Sequence, residues 1–518
     1  MSPQSENASI LPYYAYGKTK GTPYWNNIRS PKMSVVSDDF SFSFGINIPN
    51  ASTCTRVDFP YIVEDNRLFY INLGRYQRKN DYETVLLIDG AIVSASVYLN
   101  GYIVSLIKDT LIGTIVRIDE YLKTTNHLFI KFDDNRYKRQ EIIRSLRIVS
   151  LPKSRITDIY PRCSLRENMA QILCDVVLVS GDMIAALGGK LEVSINDHTD
   201  KEIAKVSQNI SSFTRNYWKT TRVILNVNDP HLWEPDDTYR YTIRVKFLRK
   251  DDTIADIKEI PYGIRQLHFV RYSSKVPNSP ALVLNNKPIR ITGAVLTVQD
   301  EKLPKKLKAA GINAVRIINP YNSAFFEECD KEGILVMSEV ALDVPYVRRF
   351  LFGQNRVSSD PLDVPFALLG EMIIRLKNYA CIFCWSIGVR KPYGNTVIGE
   401  FIRSLDDTRA VNCQGDSTYL LSDFFSADDC NLDQLKAIES HSLVFENNIL
   451  GIIHRPSIYK QYPFMLCDVD ISQQSLKEKI DVFRHNERFL GLFLSAFDDT
   501  NLLTVLKEIT EYSEVADE

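Results

Sequence analysis

From about Ser279 onward, apolar runs too short for helices alternate with amphipathic stretches long enough to be helices, and this limits the fold more than any other feature. The runs are IRITGAVL, NAVRII, ILVMSEV, CIFCWSIG, AVNCQG, LLSDFFS, FMLCDVD and GLFLSAF. Between several of them lie segments such as PFALLGEMIIRLKNYA and SQQSLKEKIDVFRHNERF, with apolar residues at helical spacing. Eight strand candidates within about 240 residues, buried on both faces and joined by helices, predict a (β/α)8 TIM barrel. In that fold the carboxyl ends of the strands carry the site, so those ends bear most on function.

The preceding half has a different texture. From Ser37 to Asp134 short segments alternate apolar and polar residues, as in FSFSFGINIP, HLFIKF and LLIDGAIVSASVYLNGYIVSL. Period-two alternation punctuated by turn residues predicts antiparallel strands with one wet face, hence a β-sandwich. Asn100-Gly101 supplies the positive backbone angles that a two-residue hairpin turn requires. A second set, including KLEVSIND, TRVILNV and YRYTIRVKFL, predicts a smaller sandwich, and NDPHLWEPDDTY between its strands reads as a loop holding a buried Trp233. The expected division is residues 1–140, 141–272 and 273–518.

A length of 518 residues predicts more than one core. A net charge of −2 gives no reason to expect nucleic acid or an anionic membrane as partner. No apolar run approaches the roughly 20 residues needed to span a bilayer, and MSPQSENASILPYY has neither a basic start nor an apolar core, so the expected location is cytoplasmic. Nine cysteines without framework spacing read as reduced thiols. Cys381 and Cys384 stand three apart on a strand, so their sulfurs diverge rather than share a metal. His441, His454 and His485 lack ligand-like spacing, and no metal or cofactor is expected.

The order of sandwich, small sandwich and barrel, with VYLNG in the first, LWEP and YGIR in the second and LVLNNKPIRITG opening the third, resembles glycoside hydrolase family 2 over nearly the whole chain. That family includes β-galactosidases, β-glucuronidases and β-mannosidases. The resemblance implies a jelly-roll-like sandwich, an immunoglobulin-like sandwich and a TIM barrel. It also implies roles for particular residues. NAVR carries Arg316, which in the family reaches toward the nucleophile, and VMSE carries Glu339 at the end of the third strand. WSIG matches a fourth-strand W-S-x-G that the family follows with Asn-Glu, the glutamate being the acid/base; here Val389 and Arg390 stand there. In the seventh strand Asp468 occupies the place of the nucleophilic glutamate. Asn319 and Thr297 fall where the family has histidines, and Ser495 where it has tryptophan. Trp385 and Asp499 complete the implied saccharide-binding set with Arg316 and Asn319.

Retaining hydrolysis needs two carboxyl groups about 5 to 5.5 Å apart, one to attack and one to protonate the leaving oxygen. An arginine at the acid position stays charged, offers no proton at a useful pKa and has no lone pair to activate water. Loss of general acid catalysis typically costs about 10²- to 10⁴-fold. Shortening the nucleophile by one bond adds a misplacement of about 1 Å, worth on the order of 10²-fold. The expected function is therefore that of a catalytically impaired family 2-like protein that binds a saccharide, acidic ones included through Arg390, or serves as a scaffold. The alternative is an active β-glycosidase using a rearranged acid, with Glu339 the first candidate and Asp470 or Asp499 behind it, alongside Asp468. Homo-oligomers or pairing with an active homologue are the protein partnerships the reading admits. Tyr346 to Pro365, the longest and most basic loop, is the expected lid or docking surface.

Overall fold

The computed structural model describes residues 33–36, 54–57, 61–63, 68–75, 82–110, 113–133, 141–181, 186–215, 218–269, 282–320, 322–341, 363–388, 396–413, 422–427, 464–470 and 489–495. The chain forms two compact units, one of residues 1–162, 171–227 and 241–261 and the other of residues 163–170, 228–240 and 262–518.

In the first unit one long strand, Tyr82–Leu99, organises the amino-terminal sandwich. Its carboxyl half pairs antiparallel with Tyr102–Thr110 and Asn126–Phe132, and its amino half with Thr114–Arg117 and Glu141–Pro152. A single strand thus serves both layers. The switch falls at Gly90, where the register against Glu141–Pro152 shifts and an added Cβ would lie 2.2 Å from the Ile142 carbonyl oxygen. Leu86 and Ile88 from one half and Val97 and Leu99 from the other meet in one core with Phe69, Ile130 and Leu146. The expected hairpin is present: Leu99 pairs with Tyr102, and Asn100 and Gly101 have φ of 53° and 89°.

The second sandwich sets three strands (Arg155–Arg166, Met169–Val179, Trp218–Asn228) against four (Glu202–Ile210, Gly189–Asn196, Tyr241–Arg249, Ile254–Tyr262). Seven strands in a three-and-four split fit an immunoglobulin-like sandwich. Along Trp218–Asn228 and Tyr241–Arg249 every second side chain is buried, including Val223, Leu225, Ile243, Val245 and Phe247. Burial on alternate residues is what the period-two sequence pattern dictates.

The second unit contains the barrel. Its parallel strands are β1 (Ile291–Leu296), β2 (Ala314–Ile318), β3 (Leu335–Val340), β4 (Ile382–Ile387), β5 (Ala410–Cys413), β6 (Phe425–Ala427), β7 (Phe464–Asp470) and β8 (Phe489–Ser495). They coincide with the eight apolar runs. The ladder runs β5-β4-β3-β2-β1-β8-β7-β6, and at the seam between β5 and β6 there is no strand pairing among the described residues. At that seam the Asn412 amide donates to Ser426 Oγ (3.1 Å) and to the Phe424 carbonyl (3.3 Å), and Ser422 Oγ accepts from the Cys413 amide (2.8 Å). Side chains on β5, on β6 and just before β6 therefore bridge this seam. Helices α1 (Leu303–Ala309), α2 (Ser323–Glu332), α3 (Asp363–Leu376) and α4 (Thr396–Leu405) follow β1 to β4. Residues 472–488 of the segment SQQSLKEKIDVFRHNERF lie outside the described residues.

Trp233 is fully buried, as its loop context predicts. Its indole N–H donates to the Asp330 carbonyl at the end of α2 (3.0 Å), and its own carbonyl accepts from Asn285 Nδ2 (2.9 Å). Asn285 Oδ1 accepts from the Gln266 amide (2.9 Å), and the adjacent Arg265 donates to the Ile382 carbonyl at the start of β4. LWEP, YGIR and LNNKP thus form one buried joint around the amino end of β4.

Candidate functional site

The strand register brings Ile318, Glu339, Ser386 and Asn412 abreast on β2, β3, β4 and β5. Residues abreast in a parallel sheet share a face, and Arg316, two residues before Ile318, shares it as well. Arg316 meets Glu339 in a two-pronged ion pair, with Nε donating to Oε2 (3.0 Å) and Nη2 to Oε1 (2.9 Å). Ser386 Oγ donates to Glu339 Oε2 at 2.8 Å, and Asn412 Oδ1 lies 3.4 Å from the same hydroxyl. Arg316 and Glu339 are each 2 % exposed, while Ser386 and Asn412 are fully buried. A buried carboxylate paired in fork geometry with a guanidinium is the most directional ion pair a protein can make.

Gly388, just past β4, completes this wall. Its amide donates to the Val340 carbonyl (2.9 Å), and an added Cβ would sit 2.6 Å from Glu339 Oε1. The glycine of WSIG is thus explained by the close approach of the Glu339 carboxylate. Beyond it the chain leaves the described residues, so Val389 and Arg390 lie outside them. So do Asp499 and residues 346–362 of the Tyr346 to Pro365 loop. Asp468 lies on β7, where the register against β8 shifts between Leu466 and Val469.

Asn319 follows β2 in the left-handed region, with φ of 54°. Its amide donates to the Glu339 carbonyl (2.8 Å) and its Oδ1 accepts from the Ala341 amide (3.0 Å). An amide N–H meets only an oxygen, so this second bond fixes which end of the Asn319 side chain is which. Asn319 is half-buried, and its Nδ2 is left without a partner among the described residues.

Trp385 points the other way. It is fully buried, and its indole N–H donates to Asp406 Oδ2 just after α4 (2.8 Å). Alternation along β4 could have shown this, since Ser386 faces Glu339 and its neighbour must therefore face the helices. Cys381 and Cys384 are both buried free thiols, and burial pushes each well above the usual thiol range.

Chemically, the carboxylate on the β2–β5 wall of the mouth is that of Glu339, and both its oxygens already accept hydrogen bonds. To act as an acid, Glu339 would have to carry its proton on an oxygen that now accepts from Arg316 or Ser386. Sequence reasoning identified Arg316, Glu339 and Asn319. It missed Ser386 and Asn412, whose only signal is that a polar residue sits at an inward position of an otherwise apolar strand.

The sequence model "Glycosyl hydrolases family 2, TIM barrel domain" matches residues 284–515, and "Glycosyl hydrolases family 2" matches residues 154–265. A β-galactosidase of Oenococcus oeni is 22% identical over 404 residues, covering 69% of this chain and 37% of that protein. A β-galactosidase of Staphylococcus xylosus is 23% identical over 484 residues, covering 87% and 46%. The chain therefore spans less than half the length of these curated relatives. Among solved structures, a glycosyl hydrolase family 2 member from Bacteroides cellulosilyticus superposes with a TM-score of 0.71 at 17% identity, covering 91% of this chain and 64% of the other. A β-D-glucuronidase of Dictyoglomus thermophilum gives 0.66 at 17% identity, covering 92% and 91%.

Proposed function

Because this chain belongs to glycoside hydrolase family 2, we propose that its barrel mouth binds a saccharide but does not run the ordinary two-carboxylate retaining reaction. The observation that carries this reading is the engagement of Glu339. Its oxygens are held by Arg316 at 2.9 and 3.0 Å and by Ser386 at 2.8 Å, while the second position after WSIG, where the family resemblance puts the acid, holds Arg390. Binding survives such a loss because sugar contacts and bond cleavage use partly separate groups.

In this reading Asn319 donates through Nδ2 to a sugar oxygen, and Arg390 favours saccharides bearing a carboxylate, sulfate or phosphate. Asp468 stands in the nucleophile's place without a partner to protonate the leaving oxygen. Glu339 could take that part only by carrying its proton on an oxygen that already accepts from Arg316 or Ser386, which weighs against the alternative of an active glycosidase with a rearranged acid.

The test is ligand-induced stabilisation. A ligand that binds only the folded chain raises its apparent stability by about 2.7 kcal/mol at one hundred times its dissociation constant. Neutral β-galactosides and acidic β-glucuronides are to be compared in a thermal shift assay, with R390A and N319A alongside. Stabilisation by the glucuronide that falls in R390A supports the reading. No stabilisation by any sugar at millimolar concentration refutes it.

A further inference from the structure

Gln299 lies in the segment between β1 and α1, is 3 % exposed, and has no counterpart among the residues singled out from sequence. Its Nε2 donates to the Asn319 carbonyl (3.3 Å), its Oε1 accepts from the Asn322 amide (2.9 Å), and its own carbonyl accepts from Asn322 Nδ2 (2.9 Å). Asn322 in turn caps α2, its Oδ1 accepting from the Ala324 amide at 3.1 Å. On the far side, Asn319 is held by the Glu339 carbonyl and the Ala341 amide at the end of β3. Three strand ends thus meet on Asn319.

These bonds use the backbone N–H, the carbonyl and Oδ1 of Asn319 and leave the two Nδ2 protons. A non-glycine residue at φ of 54° is strained unless its surroundings hold it, and Asn tolerates this region better than most. Here the hold comes from β3 on one side and from Gln299 on the other.

We propose that Gln299 is a positioning residue for ligand binding, holding Asn319 in the left-handed conformation that turns its Nδ2 donor toward the barrel mouth. The proposal rests on the saccharide reading for its ligand, but not for its conformational part. Asn319 donates the bond; Gln299 touches no ligand. The recognised group is an oxygen acceptor, a hydroxyl or a carboxylate, on the sugar ring.

Two substitutions separate positioning from general bracing. Q299A removes the side-chain bonds to the Asn319 carbonyl and the Asn322 amide. Q299E keeps the acceptor for the Asn322 amide and removes the donor to the Asn319 carbonyl. Titration calorimetry with p-nitrophenyl β-D-glucuronide and p-nitrophenyl β-D-galactoside should show about three- to tenfold weaker binding in Q299E as well as Q299A, the loss of one well-placed neutral hydrogen bond. In an N319A background the same changes should cost less than twofold, because nothing remains to be positioned. A Q299E that binds like wild type, or a full further loss on top of N319A, overturns the proposal. Crystal structures of Q299E and N319A without ligand give an independent readout: residue 319 is expected to leave the left-handed region in Q299E, and an unchanged φ contradicts the proposal. If wild type binds neither probe, the saccharide reading fails, and that backbone angle alone decides whether Gln299 holds Asn319.

Discussion

Arg316 on β2 and Glu339 on β3 are joined by two parallel hydrogen bonds of 3.0 and 2.9 Å inside the barrel, each residue 2 % exposed. A charge pair this deep persists because each partner cancels the cost of burying the other. It lies near the carboxyl ends of β2 and β3 and ties the two strands together there.

Breaking the pair from one side should be severe. R316M leaves Glu339 as an uncompensated buried charge, and urea denaturation should show a loss of about 3–5 kcal/mol. The double substitution R316M/E339L replaces both charges with apolar groups of similar size and should recover much of that loss. A double variant no better than the single one would mean that the pair does not act as a unit.

Gly388 should be nearly as sensitive as the pair it touches. In G388A the new methyl falls 2.6 Å from Glu339 Oε1 and 3.1 Å from its Cδ. Overpacking of this kind costs about 1–3 kcal/mol. In an E339A background the same change should cost close to nothing, because the clashing carboxylate is gone. Thermal or urea midpoints of the four proteins give the coupling directly.

The first unit carries its own pH dependence. Asp256 is fully buried and accepts from the Ile156 amide (2.9 Å) and its own neighbour's, Ile257 (3.0 Å). Burial nevertheless raises its pKa from 3.8 to about 6, against the opposing pull of Lys258. A pKa higher in the fold than in the unfolded chain gives stability that is complete below about pH 4 and lost as pH rises through about 6. Wild type should therefore lose on the order of 2–3 kcal/mol relative to D256N between pH 4 and 6.5. Urea titrations of both proteins across that range check it; a constant difference contradicts it. Lys258 is lowered by burial to about 8, so its deprotonation falls above this window in wild type.

Much of this architecture is legible in the sequence because it depends on periodicity. The eight barrel strands lie at the eight apolar runs, several of which are separated by helical segments, and the 100–101 turn forms because only certain residues accept its backbone angles. What periodicity cannot carry is register between strands distant in sequence. Nothing in VMSE says that Glu339 stands abreast of Ser386 and within reach of Arg316, so the pair that dominates the mouth is visible only once β2, β3 and β4 are aligned. Gln299 is silent for a related reason, since its partners Asn319 and Asn322 are supplied by another loop. Trp385 lies between these cases: its family motif suggested a sugar platform, while the simple alternation of its strand points it toward Asp406 and the helices.

The most direct test is hydrolysis of a natural, unactivated β-linked disaccharide by the purified protein, beside a p-nitrophenyl β-glycoside whose leaving group needs little protonation. On the proposed reading, in which Arg390 occupies the acid position, the disaccharide is expected to remain intact, and any slow release from the aryl substrate should disappear in D468A. Steady turnover of the disaccharide that is abolished in both D468A and E339Q would contradict this, and would make Glu339 an acid in spite of Arg316.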